Sequence, residues 1–278
     1  MSNRTKKILT NILLYSILIL ISLFMLLPFI WMLSTSFKLA KDIFGYPPRF
    51  IPDNPVLDNY IYVIFKKGAL RNLYNTAFIA TFYTAITLFF TTLGGYGFAK
   101  FNFPAKKFLF AFLLATMVIP GAVMMVPSFI IIRNIGWVDT PWALIVPGAA
   151  SAFGIFFFRQ FSSTISDELL DAARIDGASE FRIYWNIIVP IIAPAMISMG
   201  LIFFMGSWNA YQGPRIYLKS PENFVMTQAI MSMQGSAGFT AWGEYMALSV
   251  ISLIPLLIIF LVFQRRIVEG IQAGAVKG

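Results

Sequence analysis

Charges fall unevenly along this chain. Six stretches are free of them and mostly apolar: Ile8–Phe37, Asn72–Ala99, Phe108–Ile132, Thr140–Phe158, Ile183–Pro214 and Tyr245–Gln264. A transmembrane helix needs about 20 mostly apolar residues, and in a helix no backbone polar group is left unpaired in lipid. The pattern predicts an all-α integral membrane protein with six transmembrane helices in a single domain, 1–278. The spans fall at about 11–33, 74–97, 108–131, 142–158, 186–208 and 246–263. A seventh charge-free stretch, Asn223–Gly243, holds Thr227, Gln228, Gln234, Ser236 and Thr240 and reads as external loop. That stretch lies within an external loop at 209–244; the other external loops are 38–71 and 133–141, and the longest internal loop is 159–185. Pro47, Pro48, Pro52 and Pro55 predict an extended first half for loop 38–71.

Composition sharpens this picture. Hydrophobic residues make up 58% of the 278 positions and charged residues 12%, against about 25% charged in soluble domains. A soluble enzyme is excluded. With no histidine and no cysteine, the chain has no His acid–base chemistry, Cys nucleophile, disulfide or Cys/His zinc site. The formal charge of +9 reads as basic residues flanking spans rather than as a nucleic-acid surface. Six spans put both termini on one side, and 12 of the 21 Lys and Arg share that side, crowded into short segments at span ends. The positive-inside rule makes it the cytoplasmic side of a bacterial cell membrane. The first apolar stretch follows Arg4, Lys6 and Lys7 and exceeds a cleaved signal's apolar core, so it reads as a retained anchor.

The apolar centres of the spans hold no Asp, Glu, Lys, Arg or His, the groups with which ion-driven carriers move protons and cations. No Gly-Lys dipeptide occurs, so no phosphate-cradling Walker loop is present. Uphill transport by this chain therefore requires energy from another chain. Gly94, Gly95 and Gly97 lie late in an apolar helix with no preceding strand, which argues for close helix packing over a dinucleotide loop.

The internal loop carries the most information. In Ser166–Pro190, Ser166 is placed to cap a helix opening with Asp167 and Glu168. Leu169, Leu170, Ala172 and Ala173 make its apolar stripe, Gly177 ends it in a left-handed conformation, and Ser179 caps a second helix leading into span five. Two readings stand on physical grounds: an amphipathic loop lying on lipid, or a docking element whose small Ala172 and Ala173 admit another backbone closely.

The same segment resembles the EAA motif of permease subunits of bacterial ABC importers: Glu-Ala-Ala, three residues, Gly, nine residues, Ile, any residue, Leu, Pro. Here it reads Asp171, Ala172, Ala173, Gly177, Ile187, Val189 and Pro190, with Asp for Glu and Val for Leu. Arg174–Ala178, Pro47-Pro48, Asn59-Tyr60, Phe98–Lys107 and Trp208-Asn209 resemble the carbohydrate-importer branch. The ending Gly270–Gly278 resembles the tail of maltose-type second permease subunits. The resemblance implies a permease that is not itself an enzyme. Its partners would be a second permease subunit, a dimer of ATPase subunits, an extracellular solute-binding protein and a sugar or oligosaccharide. No cofactor would sit in this chain; ATP and magnesium would bind the ATPase subunits. Asp171, Ala172, Ala173, Gly177, Phe181, Ile187 and Pro190 would form a cytoplasmic coupling helix and its support, seated in an ATPase cleft, and ATP-driven closure of that dimer would turn the spans from inward-facing to outward-facing.

Other positions keep two readings. Trp208, Asn209 and Tyr211 form either an aromatic belt at the membrane interface or a substrate path, with rings on sugar C–H faces and an amide on hydroxyls. Gln272, Gly274 and Lys277 belong either to a frayed end or to a tail reaching the ATPase interface. The alternatives in function are an importer of a peptide, polyamine or anion, an integral-membrane enzyme with carboxylates at the membrane edge, and a membrane scaffold.

Overall fold

The structure, a computed structural model, describes the backbone of residues 3–235 and 241–275 and the side chains of 7–235 and 241–264. Helices dominate, and no β-strand occurs among the described residues. The principal helices are α1 (Asn3–Ser36), α2 (Ala69–Lys100), α3 (Lys106–Thr116), α4 (Gly121–Asn134), α5 (Ala152–Ser163) and α6 (Asp167–Ile175). They are followed by α7 (Glu180–Trp208), α8 (Gln212–Tyr217), α9 (Met226–Ser232) and α10 (Trp242–Ala275). The chain divides into two compact units, Met1–Ala69 with Ala229–Ile254, and Leu70–Gln228 with Pro255–Gly278.

Four helices are long and apolar enough to cross a membrane: Lys7–Ser36, Ala69–Lys100, Glu180–Trp208 and Trp242–Gln264. The expected third span, 108–131, is not one helix. α3 and α4 meet at 102° across the break at Met117–Pro120. Pro120 lacks the N–H the helix needs and drives Ile119 away from helical geometry. As one bent span the pair would be a fifth. The expected fourth span, 142–158, is also divided, into a turn at Trp142–Ile145 and the twelve-residue α5. Pro147 cannot continue the first piece, and Ser151 restarts the helix by accepting the Gly154 N–H at 3.2 Å. By length and composition alone, four described helices are long enough to span, or five if the bent pair counts as one. The two missed breaks both lie at Pro in apolar sequence, where hydropathy alone carries no signal.

In the first unit, α1 exposes its large apolar side chains all round, from Ile8 to Ile30. Its end is tied down by polar contacts. Asn59 donates from Nδ2 to the carbonyls of Ser36 and Lys38, each at 2.9 Å, and Ser36 Oγ meets Tyr60 Oη at 2.8 Å. Lys38 is buried, gives a proton to the Arg49 carbonyl at 2.5 Å, and lies 4.2 Å from the Trp31 ring centre. Loop 38–71 opens with a helical turn at Ala40–Ile43, ahead of its prolines, and is irregular only from Gly45 to Leu57. It ends in Asp58–Ile61 and a wide turn at Tyr62–Lys66.

In the second unit, α2, α5, α6 and α7 share one core, built on Tyr96, Phe158, Leu170, Tyr184, Ile188 and Phe203. Threonines buried along α2 return their hydroxyl protons to their own helix, as Thr91 does to the Thr87 carbonyl at 2.6 Å and Thr92 to that of Leu88 at 2.7 Å. Thr92 also meets Tyr184 Oη at 2.6 Å, which ties α2 to α7. Gly95 brings α2 onto the backbone of α5: a Cβ there would lie 2.7 Å from both Phe158 and Arg159. Gly97, two residues on, would meet nothing within 4 Å.

At the other end of this unit the expected loop 209–244 contains α8, a short turn at Pro221–Asn223 and α9, with Met226 and Gln228 buried; residues 236–240 lie outside the described residues. Asp139, at φ +64°, organises this end. Its carboxylate accepts the N–H groups of Lys219 (2.8 Å) and Ser220 (3.0 Å) and the Ser220 hydroxyl (2.5 Å). Burial pushes the Asp139 carboxyl up, but these hydrogen bonds outweigh it and hold the group at about 2. Asn75 donates to the carbonyls of Glu222 and Phe224, and Thr76 Oγ1 accepts the Met226 N–H at 2.8 Å.

The helix contact at Gly95 gives a first prediction. Gly95→Ala forces α2 off α5 and destabilises the protein by about 1–3 kcal/mol, lowering its melting temperature in detergent. Gly97→Ala melts as wild type does.

Candidate functional site: the interhelical loop at residues 164–185

Helix α5 runs to Ser163 and α7 begins at Glu180, so the loop expected at 159–185 narrows to a short helix between two caps. Ser166 Oγ accepts the Leu169 N–H at 3.3 Å, and Ser179 Oγ accepts that of Arg182 at 3.4 Å. α6 ends in a paired turn: the Gly177 N–H bonds the Arg174 carbonyl and the Ala178 N–H bonds the Ala173 carbonyl, both at 3.0 Å. Gly177 takes φ +80° there, with open space around it. Sequence therefore placed both caps and the turn.

The stripe is oriented differently from the expectation. Leu170 is buried to 1% exposure and Ala173 packs against the same core. Leu169 and Ala172 face outward instead, together with Ile175 at 86% exposure, and Phe181 beyond the turn is 61% exposed. A nine-residue helix lying on a surface turns one face inward, so four residues with neighbouring numbers cannot all be buried. The outer face is an apolar patch on a segment bounded by charges.

The loop is held rigidly. Lys100, the last residue of α2, has a side chain only 7% exposed. Its ammonium donates to the Ile165 carbonyl at 2.5 Å and to Asp167 Oδ1 at 2.6 Å. The hydrogen bond and positive charge of Lys100 hold the Asp167 carboxyl below its ordinary range. Arg174 bridges Asp171 and Glu180 at 2.7 Å each, and Tyr96 Oη donates to Glu180 at 3.0 Å. The hydrogen bonds that the Arg174 guanidinium donates to Glu180 and Asp171 make it harder still to deprotonate. Asp171 is thus paired within its own chain while its side chain stays 63% exposed. At the start of α7 the helix widens over Tyr184–Ile188, with the Val189 N–H reaching back to the Tyr184 carbonyl. Pro190 next in line lacks an N–H and its ring would strike the Asn186 carbonyl, and the wide turn relieves this. Ile187 packs on the core below.

Charge, core and turn make this loop a braced projection with an apolar outer face, without a constellation for bond-making chemistry. Among the described residues no cluster of carboxylates suited to a metal ion occurs. The sequence profile described as "Binding-protein-dependent transport system inner membrane component" matches residues 91–272, a span that contains this loop, α5, α7 and the end of α2. The chain belongs to that family. It is a multi-pass membrane permease and not an enzyme in itself.

Relatives extend over nearly the whole chain. The arabinooligosaccharides transport system permease protein AraQ of Bacillus subtilis is 32% identical over 263 residues, 93% of each chain. The lactose transport system permease protein LacG of Rhizobium radiobacter is 32% identical over 277 residues, covering both chains fully. The trehalose/maltose transport system permease protein MalG of Thermococcus litoralis is 32% identical over 277 residues, 98% of this chain and 99% of its own. Among solved structures, a chain of a bacterial ABC transporter that imports the acidic polysaccharide alginate superposes with TM-score 0.81 at 23% identity, covering 95% and 98%. That likeness supports the fold.

The other sequence-predicted positions are not brought together. Trp208 is buried, stacked on Phe204 at 5.4 Å, and its indole N–H has no partner among the described residues. Asn209 is exposed and returns its amide to the Met205 carbonyl of its own helix. Only Tyr211 lines an open cleft. Gln272 and Gly274 fall within α10, and Lys277 lies outside the described residues. Lys100, Tyr96 and Arg174 are what the sequence reading missed as supports. Their partners lie 3 to 84 positions away, and only the basic residue ending α2 and the spacing of Asp171 and Arg174 gave a local sign.

Two measurements test this reading. Gly177→Val loosens the turn by roughly 1–2 kcal/mol, since a β-branched residue resists positive φ, and speeds amide exchange over 166–185 in detergent; Gly177→Asn is milder. Because the Asp167 carboxyl is depressed on folding, its pairing with Lys100 stabilises the loop above its ordinary value of 3.8 and is lost as pH falls below that. Amide protection factors over 164–170, corrected for the intrinsic exchange rate at each pH, therefore fall on acidification, and Lys100→Gln shows the reduced protection already at neutral pH.

Proposed function

We propose that this chain is one of two permease subunits of an ATP-driven sugar importer, and that α6 is the coupling helix seated in a cleft of a cytoplasmic ATPase subunit. The observation that carries this is the outer face of α6. Ile175, Leu169 and Phe181 stand exposed on a loop clamped by Lys100 and Arg174, and exposed apolar patches on rigid supports mark protein contacts. ATP and magnesium bind the ATPase dimer, and this chain transmits the closure of that dimer through α6 into α2 and α7. Asp171, paired with Arg174, acts chiefly by keeping the lever stiff. Six spans and cytoplasmic termini are part of this reading.

An apolar groove of about 590 Å³ favours the second permease. It is lined by α2, α7 and the last part of α10, with the small residues Thr81, Ala85, Ala193 and Gly200 along it, and small residues admit a neighbouring membrane helix closely. An external solute-binding protein fits the family description, and a solved neighbour is titled as a complex with a "pentasaccharide-bound periplasmic protein". Sugar is the solute because the relatives are described as carrying arabinooligosaccharides, lactose and trehalose or maltose. Another is described as carrying polygalacturonan or rhamnogalacturonan, so the relatives include neutral and acidic saccharides alike.

The test is capture of the ATPase subunit with sugar-stimulated ATP hydrolysis in proteoliposomes. Ile175→Asp lowers both at least tenfold, about 1.4 kcal/mol or more, with membrane insertion unchanged; Asp171→Ala has a smaller effect and Asp171→Glu almost none. Capture of the ATPase by the Ile175→Asp protein at wild-type level removes α6 as the docking element. Orientation is read by labelling single cysteines: Cys at Ser2 is protected in intact cells and Cys at Asn54 reacts.

A further inference from the structure

A second feature of the same unit has no part in the lever. Between α4 and the segment around α8 lies an open cleft of about 670 Å³. Met125 and Phe129 form its apolar wall, and Tyr211, Gln212, Arg215 and Lys219 line the other. Tyr211 precedes α8, Arg215 lies within it and Lys219 follows the extended Leu218 at its end, and all three line this cleft. The Arg215 guanidinium lies 5.8 Å from the Tyr211 ring centre. Among the described residues, neither Arg215 nor Lys219 has a carboxylate within 4.0 Å of its charged group. The nearby acid, Asp139, is occupied by the backbone N–H groups of Lys219 and Ser220 and by the Ser220 hydroxyl. Two like charges four residues apart repel, and nothing acidic lines the cleft to offset them.

We propose that this cleft binds the carboxylates of an acidic saccharide, on Arg215 and Lys219. The pyranose C–H face lies on Tyr211 and Phe129, and the Gln212 amide bonds a hydroxyl. The inference rests on the sugar-import reading and narrows it. A neutral saccharide would satisfy the aromatic wall and the amide but leave both cations without counter-charge. A small inorganic anion would satisfy the cations and leave the apolar wall and most of the volume unused. Arg215 supplies a planar, two-pronged donor matched to a carboxylate, and Lys219, just past the end of α8, a second point charge on the same cleft.

The experiment uses the whole importer, with its partner permease and ATPase, in lipid nanodiscs. Equilibrium binding of trigalacturonate and of neutral maltotriose is measured in parallel, with ATP hydrolysis in the presence of the binding protein as a second readout. Trigalacturonate binds more tightly than maltotriose and weakens as salt rises. The double substitution Arg215→Gln with Lys219→Gln weakens it about tenfold, the scale of two partly exposed ion pairs, without changing maltotriose binding or capture of the ATPase. Exchanging the two cations, Arg215→Lys with Lys219→Arg, restores most of the loss. Equal binding of both trisaccharides, or undiminished trigalacturonate binding by the double Gln variant, overturns the acidic-ligand proposal while leaving sugar import intact. If neither these nor a broad set of neutral and acidic oligosaccharides stimulates ATP hydrolysis, the sugar reading falls and takes the proposal with it.

Discussion

The ammonium of Lys100 sits where the polar end of a long apolar helix has to meet water, and it is almost wholly covered. A buried cation is tolerable only with its hydrogen bonds made, and here they are made to the Ile165 carbonyl and to Asp167 at the head of α6. The interaction fixes the start of the short helix against the end of α2. Positive charge in the last turn of α2 also opposes the negative end of that helix's dipole. Without this clamp, α6 would be a nine-residue helix in water, too short to persist unaided, and its outer face would have no defined direction.

The second anchor is apolar. Leu170 enters the core formed by Tyr96, Phe158, Tyr184 and Ile188, so α2, α5 and α7 all touch what α6 touches. Gly95 lets two of these helices approach to backbone contact, and the Thr92–Tyr184 hydrogen bond joins another pair. A dense core transmits displacement because its parts have little room to slip. In the proposed mechanism a push on α6 is therefore delivered to α2 and α7 together. The Arg174 bridge between Asp171 and Glu180 spans the Gly177 turn and stiffens the one place where the lever would otherwise fold.

The opposite end of this unit is organised by hydrogen bonding to backbone, with Asp139, Asn75 and Thr76 as the hubs. These residues hold the region of α8 and α9 in irregular, hydrogen-bonded conformations. That arrangement leaves Arg215 and Lys219 free of internal carboxylates and aligned along one cleft. A rigid frame with unspent charge is the usual form of a recognition surface.

Sequence by itself determined the class of this protein, because an apolar chain without intramembrane charge has few solvents available to it. It also determined the caps at Ser166 and Ser179 and the left-handed Gly177, since these depend on a few adjacent residues. It did not reveal the breaks near Pro120 and Pro147, because membrane helices tolerate proline and an apolar run reads the same whether or not it is divided. Nor did it show which side of α6 faces inward. Leu169 and Leu170 are chemically alike, and only the placement of α2 and α7 decides that one is buried and the other exposed. The roles of Lys100, Tyr96 and Arg174 were decided by tertiary structure for the same reason. A side chain's partner across the fold is set by where helices pack, and composition and spacing along the chain carry no record of that distance.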